Sequence, residues 1–225
     1  MRSYGQYCSV AKALDIVGER WTLLIVRELL ARGACRYTDI RAGLPGIATN
    51  LLADRLRDLE AAGIIVREDA PPPVATTLFS LTERGAALEP LISELGRWGV
   101  PLMRNHAPND VFRGQWLRLP VRMFLADRTP DEPPTSVELH ADDQSVVLDA
   151  GAGAVTMRLG ADPHADAIVR AEPTLLLAVL SGTAGLDEAL ARGMQLAGSR
   201  AALERILPVS NTAPEPTLSQ AKAYR

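Results

Sequence analysis

The sequence predicts an α+β chain in which an N-terminal winged helix-turn-helix is followed by a second, small α+β domain. Three observations support this fold class. Apolar residues recur at helical spacing in the first part of the chain, a Pro-Gly pair separates two short helices, and a β-branched hairpin with a proline-rich loop follows them. We place the winged-helix domain at residues 1–105, the second domain at 106–208, and a tail that we expect to be disordered at 209–225.

Two predicted helices open the chain. The first runs from Ser9 to Gly18, where apolar residues recur every three or four positions. The second runs from Arg20 to Arg32 and is apolar on two sides, which is typical of a helix at the centre of a core. Gly33 can end it in the left-handed conformation that follows many helices.

The next two predicted helices form the helix-turn-helix. Tyr37–Leu44 is short, and it ends because Pro45 disfavours a helical conformation at the residue before it. A longer helix then runs from Thr49 to Ala62. One face of that helix is apolar: Leu52, Leu56 and Leu59. In this fold the second helix enters the major groove of DNA.

A hairpin and a fifth helix complete the first domain. Ile64–Val66 is β-branched and Thr76–Leu81 alternates, so both are predicted to be strands. The connection Glu68–Ala75 is predicted to be the wing loop, because it contains three consecutive prolines, which cannot donate hydrogen bonds to a sheet. Thr82 is the expected N-cap of a helix that continues to Trp98, and this helix could pair with its copy in a dimer.

The second half of the chain mixes helices with short strands. The predicted strands are Ser136–His140, Ser145–Leu148, Ala154–Leu159, Ala167–Arg170 and Met194–Leu196. The predicted helices are Asp110–Ala126, Pro173–Leu180, Gly185–Arg192 and Arg200–Ile206. The segment Gly151-Ala152-Gly153 is predicted to be a hairpin turn, because a phosphate-binding glycine loop would open a helix.

Composition limits the classes of function. The formal net charge is −3, but residues 1–105 carry 13 Lys and Arg against 12 Asp and Glu, so the first domain is the better candidate to meet phosphate. Two cysteines are too few for a secreted disulfide scaffold, and no apolar run is long enough for a membrane span, so we expect a cytoplasmic protein. We expect no catalytic site, cofactor or metal, because the histidines lack the spacing of ligands: His106, His140 and His164.

The helix-turn-helix and the hairpin carry the candidate DNA-binding residues. They are Arg36, Thr38, Thr49, Asn50, Ala53, Asp54, Arg55, Arg57 and Thr77. Asn50 suits recognition of adenine, because one amide side chain can both donate and accept at that base edge. Arg55 and Arg57 suit phosphate, but they can equally pair with acidic residues of their own helix. For the remaining positions, solvated helix or hairpin surface is the alternative.

Several motifs occur in one order along residues 8–100. They are Gly18-Glu19-Arg20-Trp21-Thr22, Arg36-Tyr37-Thr38-Asp39-Ile40, Leu44-Pro45-Gly46-Ile47, Arg55-Leu56-Arg57-Asp58-Leu59-Glu60 and Phe79-Ser80-Leu81-Thr82-Glu83-Arg84-Gly85. In this order they resemble the HxlR-type family of winged-helix regulators of transcription. The resemblance implies DNA as the partner, and we expect a homodimer that represses from a pseudo-palindromic operator. The sequence departs from the family where Ala48 stands in place of the usual capping serine, so Thr49 or a bare helix N-terminus must serve.

The second half resembles the sterol-carrier-protein-like domain that is attached to some regulators of this family. The motifs that carry this resemblance are Val155-Thr156-Met157-Arg158-Leu159-Gly160, Pro173-Thr174-Leu175-Leu176 and Ala189-Leu190-Ala191-Arg192-Gly193. The resemblance implies an apolar cavity for a small hydrophobic ligand, and we expect such a ligand to change DNA affinity. The candidate lining residues are Trp116, Met123, Phe124, Met157, Leu176 and Leu177. Ordinary core packing is the alternative for each of them.

Cys8 lies where some members of the family keep a redox-sensing thiol. A thiol reacts as the thiolate, and we expect the nearby Lys12 to lower its pKa. The alternative is a small side chain packed at a dimer interface. Two further functions stay open from the sequence: a regulator switched through Cys8, and a carrier of a hydrophobic metabolite whose winged helix docks a protein.

Overall fold

A computed structural model of the chain describes residues 3–71, 75–104, 110–141 and 144–208. The tail at 209–225 and the tip of the proline-rich loop therefore lie outside the described residues. The chain divides into two compact units, residues 1–119 and 120–225. This boundary lies 14 residues later than the change in composition suggested, because side chains at 115–118 bond to the first unit.

The described part of the first unit is a winged helix. Its helices are α1 (Ser9–Val17), α2 (Thr22–Arg32), α3 (Tyr37–Ala42), α4 (Thr49–Ala61), α5 (Glu83–Ala86) and α6 (Glu89–Gly99). Its strands are β1 (Cys35–Arg36), β2 (Ile65–Asp69) and β3 (Thr77–Leu81), and they form an antiparallel sheet in the order β1-β3-β2. Two 3-10 helices follow α6, at Val100–Arg104 and Gly114–Leu117.

The core of the first unit forms around α2, as its two apolar sides predicted. Ile25 and Val26 are completely buried, and α4 adds the predicted stripe of leucines. The stripe is Leu52, Leu56 and Leu59. Because these leucines recur every three or four residues, burying them fixes which face of α4 is left to solvent.

Three predicted helices differ most from the structure. Smaller differences are that α3 ends at Ala42 and not at Leu44, and that the first residues of the predicted wing loop, Glu68 and Asp69, belong to β2. The helix expected from Thr82 to Trp98 is interrupted between α5 and α6, because Pro90 has no amide hydrogen and must lie in the first turn of a helix. The second helix begins at Thr22, since Trp21 has a φ of 78°. The helix expected from Asp110 to Ala126 is a 3-10 turn followed by α7 (Arg118–Phe124), with Pro120 again in the first turn.

The second unit is a mixed sheet with helices. Its strands are β4 (Thr135–Ala141), β5 (Gln144–Gly151), β6 (Ala154–Leu159), β7 (Ala167–Arg170) and β8 (Gln195–Gly198). Its further helices are α8 (Pro173–Leu180), α9 (Leu186–Ala191) and α10 (Arg200–Ile206). The strand order is β6-β5-β4-β7-β8; β4 and β7 are parallel, and the other pairs are antiparallel.

One face of the central strand β4 lies in the core of this unit, since Val137 and Leu139 are at most 1% exposed. Helix α10 packs on β4 and β7. The predicted hairpin turn between β5 and β6 is confirmed: Ala152 and Gly153 have φ values of 51° and 84°, as tight two-residue hairpin turns require.

A buried ion pair links the first and last described segments of the second unit. The Arg205 guanidinium donates to both carboxylate oxygens of Asp127, at 2.6 Å and 3.0 Å. The backbone amides of Thr129 and Gly153 also donate to that carboxylate. These bonds join the start of the unit, the β5–β6 turn and the last helix.

In the described residues, none of the helices is long and apolar enough to cross a membrane. Within the same ranges, no three His, Cys, Asp or Glu side chains are grouped so that they could hold a metal ion.

Candidate nucleic-acid interface

Helix α4 presents its predicted DNA-reading face to solvent. Thr49, Asn50 and Asp54 are exposed, Ala53 is half-buried, and Arg57 is exposed one turn further along. This face lies opposite the buried leucines, as the helical period requires. Arg57 pairs with Asp54, but its side chain keeps 72% of its exposure and is accessible to a ligand.

The N-terminus of α4 is bare. Ala48 is the N-cap residue and makes no side-chain hydrogen bond to the helix, and the first turn contains no acidic residue. The first amide groups of an α-helix have no partner within the helix, and together they carry a partial positive charge. A bare N-terminus of this kind suits a phosphate group. Of the two alternatives left by Ala48, the structure has the bare N-terminus.

A groove beside α4 brings three of the predicted DNA-binding residues together. Arg36 and Thr38 come from the start of α3, and Thr77 comes from the wing strand β3. The groove has a volume of about 290 Å³ and is lined by Arg36, Tyr37, Thr38, Arg67, Thr76, Thr77 and Phe79. Pairing of β1 with β3, with Arg36 opposite Leu78, creates this juxtaposition.

Two of the polar side chains in this groove are already paired with carboxylates. The Arg67 guanidinium lies 3.1 Å from the Glu60 carboxylate, and the Thr77 hydroxyl donates to Asp69 at 2.7 Å. Arg36 differs: Asp39 accepts a hydrogen bond from its backbone amide, and no carboxylate of the described residues pairs with its exposed guanidinium. Arg36 is therefore the cation of the groove that is best placed to meet a phosphate.

The Arg55 side chain is largely buried and is paired with acidic residues of the protein itself. Its side chain is only 18% exposed, and its guanidinium lies 2.8 Å from Asp58 and 3.8 Å from Glu19. The alternative that the sequence left open, pairing within the helix, is thus the observed one, and a link to the α1–α2 turn comes in addition. These contacts argue against the predicted phosphate contact by Arg55, because the guanidinium would have to leave two carboxylates.

Tyr37 and Phe79 also line the groove, although no sequence pattern indicated them as site residues. The sequence pattern indicates Tyr37 only as the first residue of a predicted helix, and Phe79 only as one residue of an alternating strand. The pairing of Cys35 in β1 with Phe79 in β3 helps to bring them together, and a two-residue strand such as β1 leaves no periodic signal in the sequence.

Comparison with known proteins gives the same answer as the fold. A model of the HxlR-like helix-turn-helix family matches residues 16–107. The uncharacterized HTH-type transcriptional regulator YvaP of Bacillus subtilis is 39% identical over 89 residues, which cover 40% of this chain and 82% of YvaP. The chain belongs to the HxlR-like helix-turn-helix family.

Two further comparisons involve YodB of Bacillus subtilis and a solved redox regulator. The HTH-type transcriptional regulator YodB is 34% identical over 86 residues, or 38% of this chain and 76% of YodB. The structure of its reduced form shares 30% identity and covers 47% of this chain and 100% of its own, with a TM-score of 0.38. The redox regulator HypR in its oxidized form shares 33% identity and covers 44% of this chain and 99% of its own, with a TM-score of 0.38.

The HxlR-like unit carries an exposed thiol at the N-cap of α1. Backbone amides of Ala11, first, and Val10 lower the pKa of the Cys8 thiol. Lys12 was expected to have this effect, but its ammonium group lies 3.7 Å from the Asp15 carboxylate. The lowered pKa therefore comes from the helix N-terminus. Cys35, in contrast, is buried, and burial raises the pKa of its thiol to about 11.

The six residues predicted to line an apolar cavity do not all lie in one unit. Trp116 belongs to the first unit, where its indole nitrogen donates to Glu28 at 2.5 Å and its ring lies against Arg27. This placement contradicts its prediction as a cavity residue of the second domain. The other five belong to the second unit: Met123 and Phe124 on α7, Met157 on β6, and Leu176 and Leu177 on α8. Met157 and Leu176 are buried.

Proposed function

We propose that this protein is a sequence-specific transcriptional regulator that binds double-stranded DNA as a homodimer and represses from a pseudo-palindromic operator. The observation that carries the proposal is the bare, solvent-facing start of α4 beside a groove that contains Arg36. A major groove is wide enough to admit this helix, and the groove on its flank suits the sugar-phosphate backbone.

The contacts divide into two kinds. Asn50, exposed on the first turn of α4, is assigned to base reading. Arg36 and the first amides of α4 are assigned to phosphate. Arg57 is a further cation, but its ion pair with Asp54 must break before it can contact a phosphate. Phosphate contacts fix the register of the protein on DNA, and base contacts select the sequence.

Exposed apolar side chains support the homodimer. Leu91, Leu95 and Trp98 lie at helical spacing on α6 and are 47%, 48% and 71% exposed. On α1, Val10 and Leu14 are 64% and 42% exposed. Large side chains of this kind on two helices are typical of a surface that is buried in an oligomer. A twofold dimer would place two copies of α4 about 34–36 Å apart, one turn of DNA.

The dimer can be tested separately from DNA binding. Leu95→Glu puts a carboxylate on the α6 face, and sedimentation equilibrium should then show a monomer. Leu159→Glu is the matched control, because Leu159 is 53% exposed on β6 in the other unit. A dimer that survives Leu95→Glu would contradict this surface.

For the second unit we propose a sterol-carrier-like domain that binds a small hydrophobic ligand. Its support is the five-stranded mixed sheet with buried apolar strands, together with the sequence motifs on β6, α8 and α9. In this proposal the ligand acts by favouring one state of the regulator over another. Titration with a fluorescent fatty acid tests it: saturable binding that is weakened by Leu176→Glu is expected, and binding that the substitution leaves unchanged would contradict the site.

Cys8 favours a second candidate, control by oxidation. The thiol is exposed and its pKa is lowered, and these are the two properties of a reactive cysteine. Cys8→Ser should abolish any loss of DNA binding after treatment with peroxide. Cys35→Ala should leave that response in place, because Cys35 is buried.

The deciding experiment is binding of the full chain to DNA from its own upstream region, with a salt titration and an unrelated competitor. Binding that survives competitor is expected, and a reporter assay then gives the direction of control. Arg57→Ala should weaken binding, whereas Arg192→Ala should not, because Arg192 is likewise an exposed and paired arginine but belongs to the second unit. If competitor removes all binding, the winged helix is better explained as a protein-docking module of a hydrophobic-metabolite carrier.

A further inference from the structure

A fully buried carboxylate lies at the centre of the first unit. Glu28, on α2, is 0% exposed and accepts four hydrogen bonds or ion pairs. Oε1 is contacted by Trp116 Nε1 at 2.5 Å and Arg27 Nη2 at 2.8 Å. Oε2 is contacted by Gln115 Nε2 at 3.2 Å and Arg32 Nε at 3.4 Å. Two of the four donors thus come from α2 itself, and two come from a segment 87 and 88 residues later.

That segment, residues 114–118, leads directly to the boundary between the two units. Besides the two donors to Glu28, Arg118 donates to the carbonyl of Ala31 at 2.7 Å, and the Trp116 ring stacks on the Arg27 guanidinium at 4.4 Å. The segment lies beyond residue 107, where the match to the HxlR-like family ends. The chain enters the second unit after residue 119.

The same carboxylate also touches the helix-turn-helix. Gly43 follows α3 directly, and a Cβ atom at this position would lie 1.9 Å from Glu28 Oε2. Arg27 Nη2, which holds the other oxygen, lies 3.5 Å from the carbonyl of Gly43. The carboxylate therefore fills space that a glycine leaves open at the start of the turn between α3 and α4. Neither group can shift far without displacing the other.

A buried carboxylate is costly unless donors surround it. If residues 114–118 left α2, Glu28 would lose both of its neutral donors and would have to rotate toward other donors or water. Because Gly43 lies against the same oxygen, such a rotation changes the packing at the end of α3. That end sets the position of α4 through a short turn.

We propose that Glu28 is a positioning residue that couples segment 114–118 to the turn before the DNA-reading helix. Through this coupling, a structural change in the chain beyond residue 119 would reach α4. The inference rests on the proposed function of the second unit as a regulatory domain. Coupling of this kind is reciprocal: a change made at either end must be felt at the other.

The test is hydrogen exchange of the full chain without DNA, read at two places. Trp116→Phe removes the donor to Glu28 but keeps a ring against Arg27. It should speed exchange of the amides at 43, 44, 46 and 47 by about tenfold, as expected for loss of a hydrogen bond to a charged group. Gly43→Ala should in return speed exchange at 114–118. Gly43 has a φ of −80°, so the substitution acts through the Glu28 contact and not through backbone strain.

Arg32→Gln is the matched control. It also removes a partner of Glu28, but the most distant of the four, at 3.4 Å, and Gln115 still donates to the same oxygen, so both remote segments should change far less than with Trp116→Phe. If Gly43→Ala fails to fold, Glu28→Gln replaces one accepting oxygen by a donor and should loosen both segments at once.

Exchange that rises only in the mutated segment would overturn the coupling, and so would an equal effect of Arg32→Gln, which would show a purely structural charge cluster. The readout needs no DNA, so a failure of the DNA-binding proposal would leave this result intact. Conversely, uncoupled exchange would overturn this inference even if operator binding were confirmed.

Discussion

The Tyr37 hydroxyl donates a hydrogen bond of 2.7 Å to the backbone carbonyl of Thr49. This bond joins the first residue of α3 to the first residue of α4, 12 positions later. Tyr37 also lines the groove that contains Arg36, so one side chain sets the distance between the groove and the bare start of α4. The two proposed phosphate sites, Arg36 and the N-terminus of α4, are in this way held at a fixed distance from each other.

Tyr37→Phe should therefore weaken DNA binding at every sequence while costing only about 1 kcal/mol of stability, the usual value of one hydrogen bond. The physical reason is a less fixed α4, not a lost contact to a base. Anisotropy titrations with the operator and with unrelated DNA would measure this, beside urea unfolding. A loss confined to the operator would instead mean that the hydroxyl reads a base.

Asn50→Ala should relax discrimination at one base pair in each half-site, at a cost of about 1–3 kcal/mol. Operators that carry single base changes, titrated against both proteins, give the measurement. Asn50 is exposed, so the folded stability should be unchanged. Discrimination that stays intact at every base would remove Asn50 from the readout.

Arg36→Ala and Arg55→Ala should separate phosphate contact from internal structure. Each neutralised phosphate adds about 0.9 to the slope of log affinity against log salt, so Arg36→Ala should lower the slope by about 1.8 in a dimer. Arg55→Ala should leave the slope unchanged and lower stability by about 1 kcal/mol, because it releases Asp58 and Glu19. A salt slope reduced only by Arg55→Ala would reverse the two assignments.

The two thiols should react at different pH. The lowered pKa of Cys8 gives more thiolate near neutrality, so half-maximal alkylation by iodoacetamide is expected below pH ~8.5, the ordinary value for a cysteine. Cys35, whose pKa burial raises to about 11, should stay unmodified at neutral pH until the protein unfolds. Mass spectrometry of timed samples reads both sites, and Cys8→Ser should remove the fast reaction. Equal rates at the two positions would contradict this assignment.

Acid should destabilise the second unit through Asp127. The hydrogen bonds from Arg205 hold the pKa of the Asp127 carboxyl well below its usual range, with help from the amides of Gly153 and Thr129. The folded pKa is thus lower than the unfolded value of about 3.9, so the stabilisation is complete above that pH and is lost as the pH falls through the folded pKa.

Calorimetry between pH 2 and 7 would follow this loss in the native chain and in Asp127→Asn. The substitution leaves Arg205 buried without its carboxylate, so the unfolding midpoint at pH 7 should fall by roughly 5 °C or more and should depend less on acid. Glu188→Gln, which breaks an exposed pair with Arg192, is the control and should change little.

The helices and strands were predictable where burial imposes a period. The apolar sides of α2 predicted its bounds to within two residues, the strand predicted at Ala154–Leu159 is β6, and the Pro45–Gly46 turn separates α3 from α4 as expected. Pro90 was visible in the sequence, but the apolar spacing on both sides of it suggested one helix. Apolar spacing indicates which face of a helix is buried. It does not indicate where a proline, which lacks an amide hydrogen, interrupts the helix.

The candidate site was predictable only in part. The solvent face of α4 follows from the spacing of its leucines, whereas the groove depends on the pairing of Arg36 with Leu78, a contact between distant residues. The Arg55–Glu19 pair joins positions 36 residues apart, and no local pattern indicates it. The same holds for Trp116, whose aromatic ring suggested a cavity but whose indole nitrogen lies against Glu28.

The pairing of Asp127 with Arg205 also bears on the order in which the chain acquires structure during synthesis. These partners are 78 residues apart, and the central strand β4 must wait for β7 before its second edge is covered. Contacts between such distant residues form slowly, and domains generally fold from the N-terminus as they emerge from the ribosome. The first unit has all of its described elements by residue 119. The growing chain is therefore expected to carry a finished DNA-reading unit while its second unit still lacks the residues that close it.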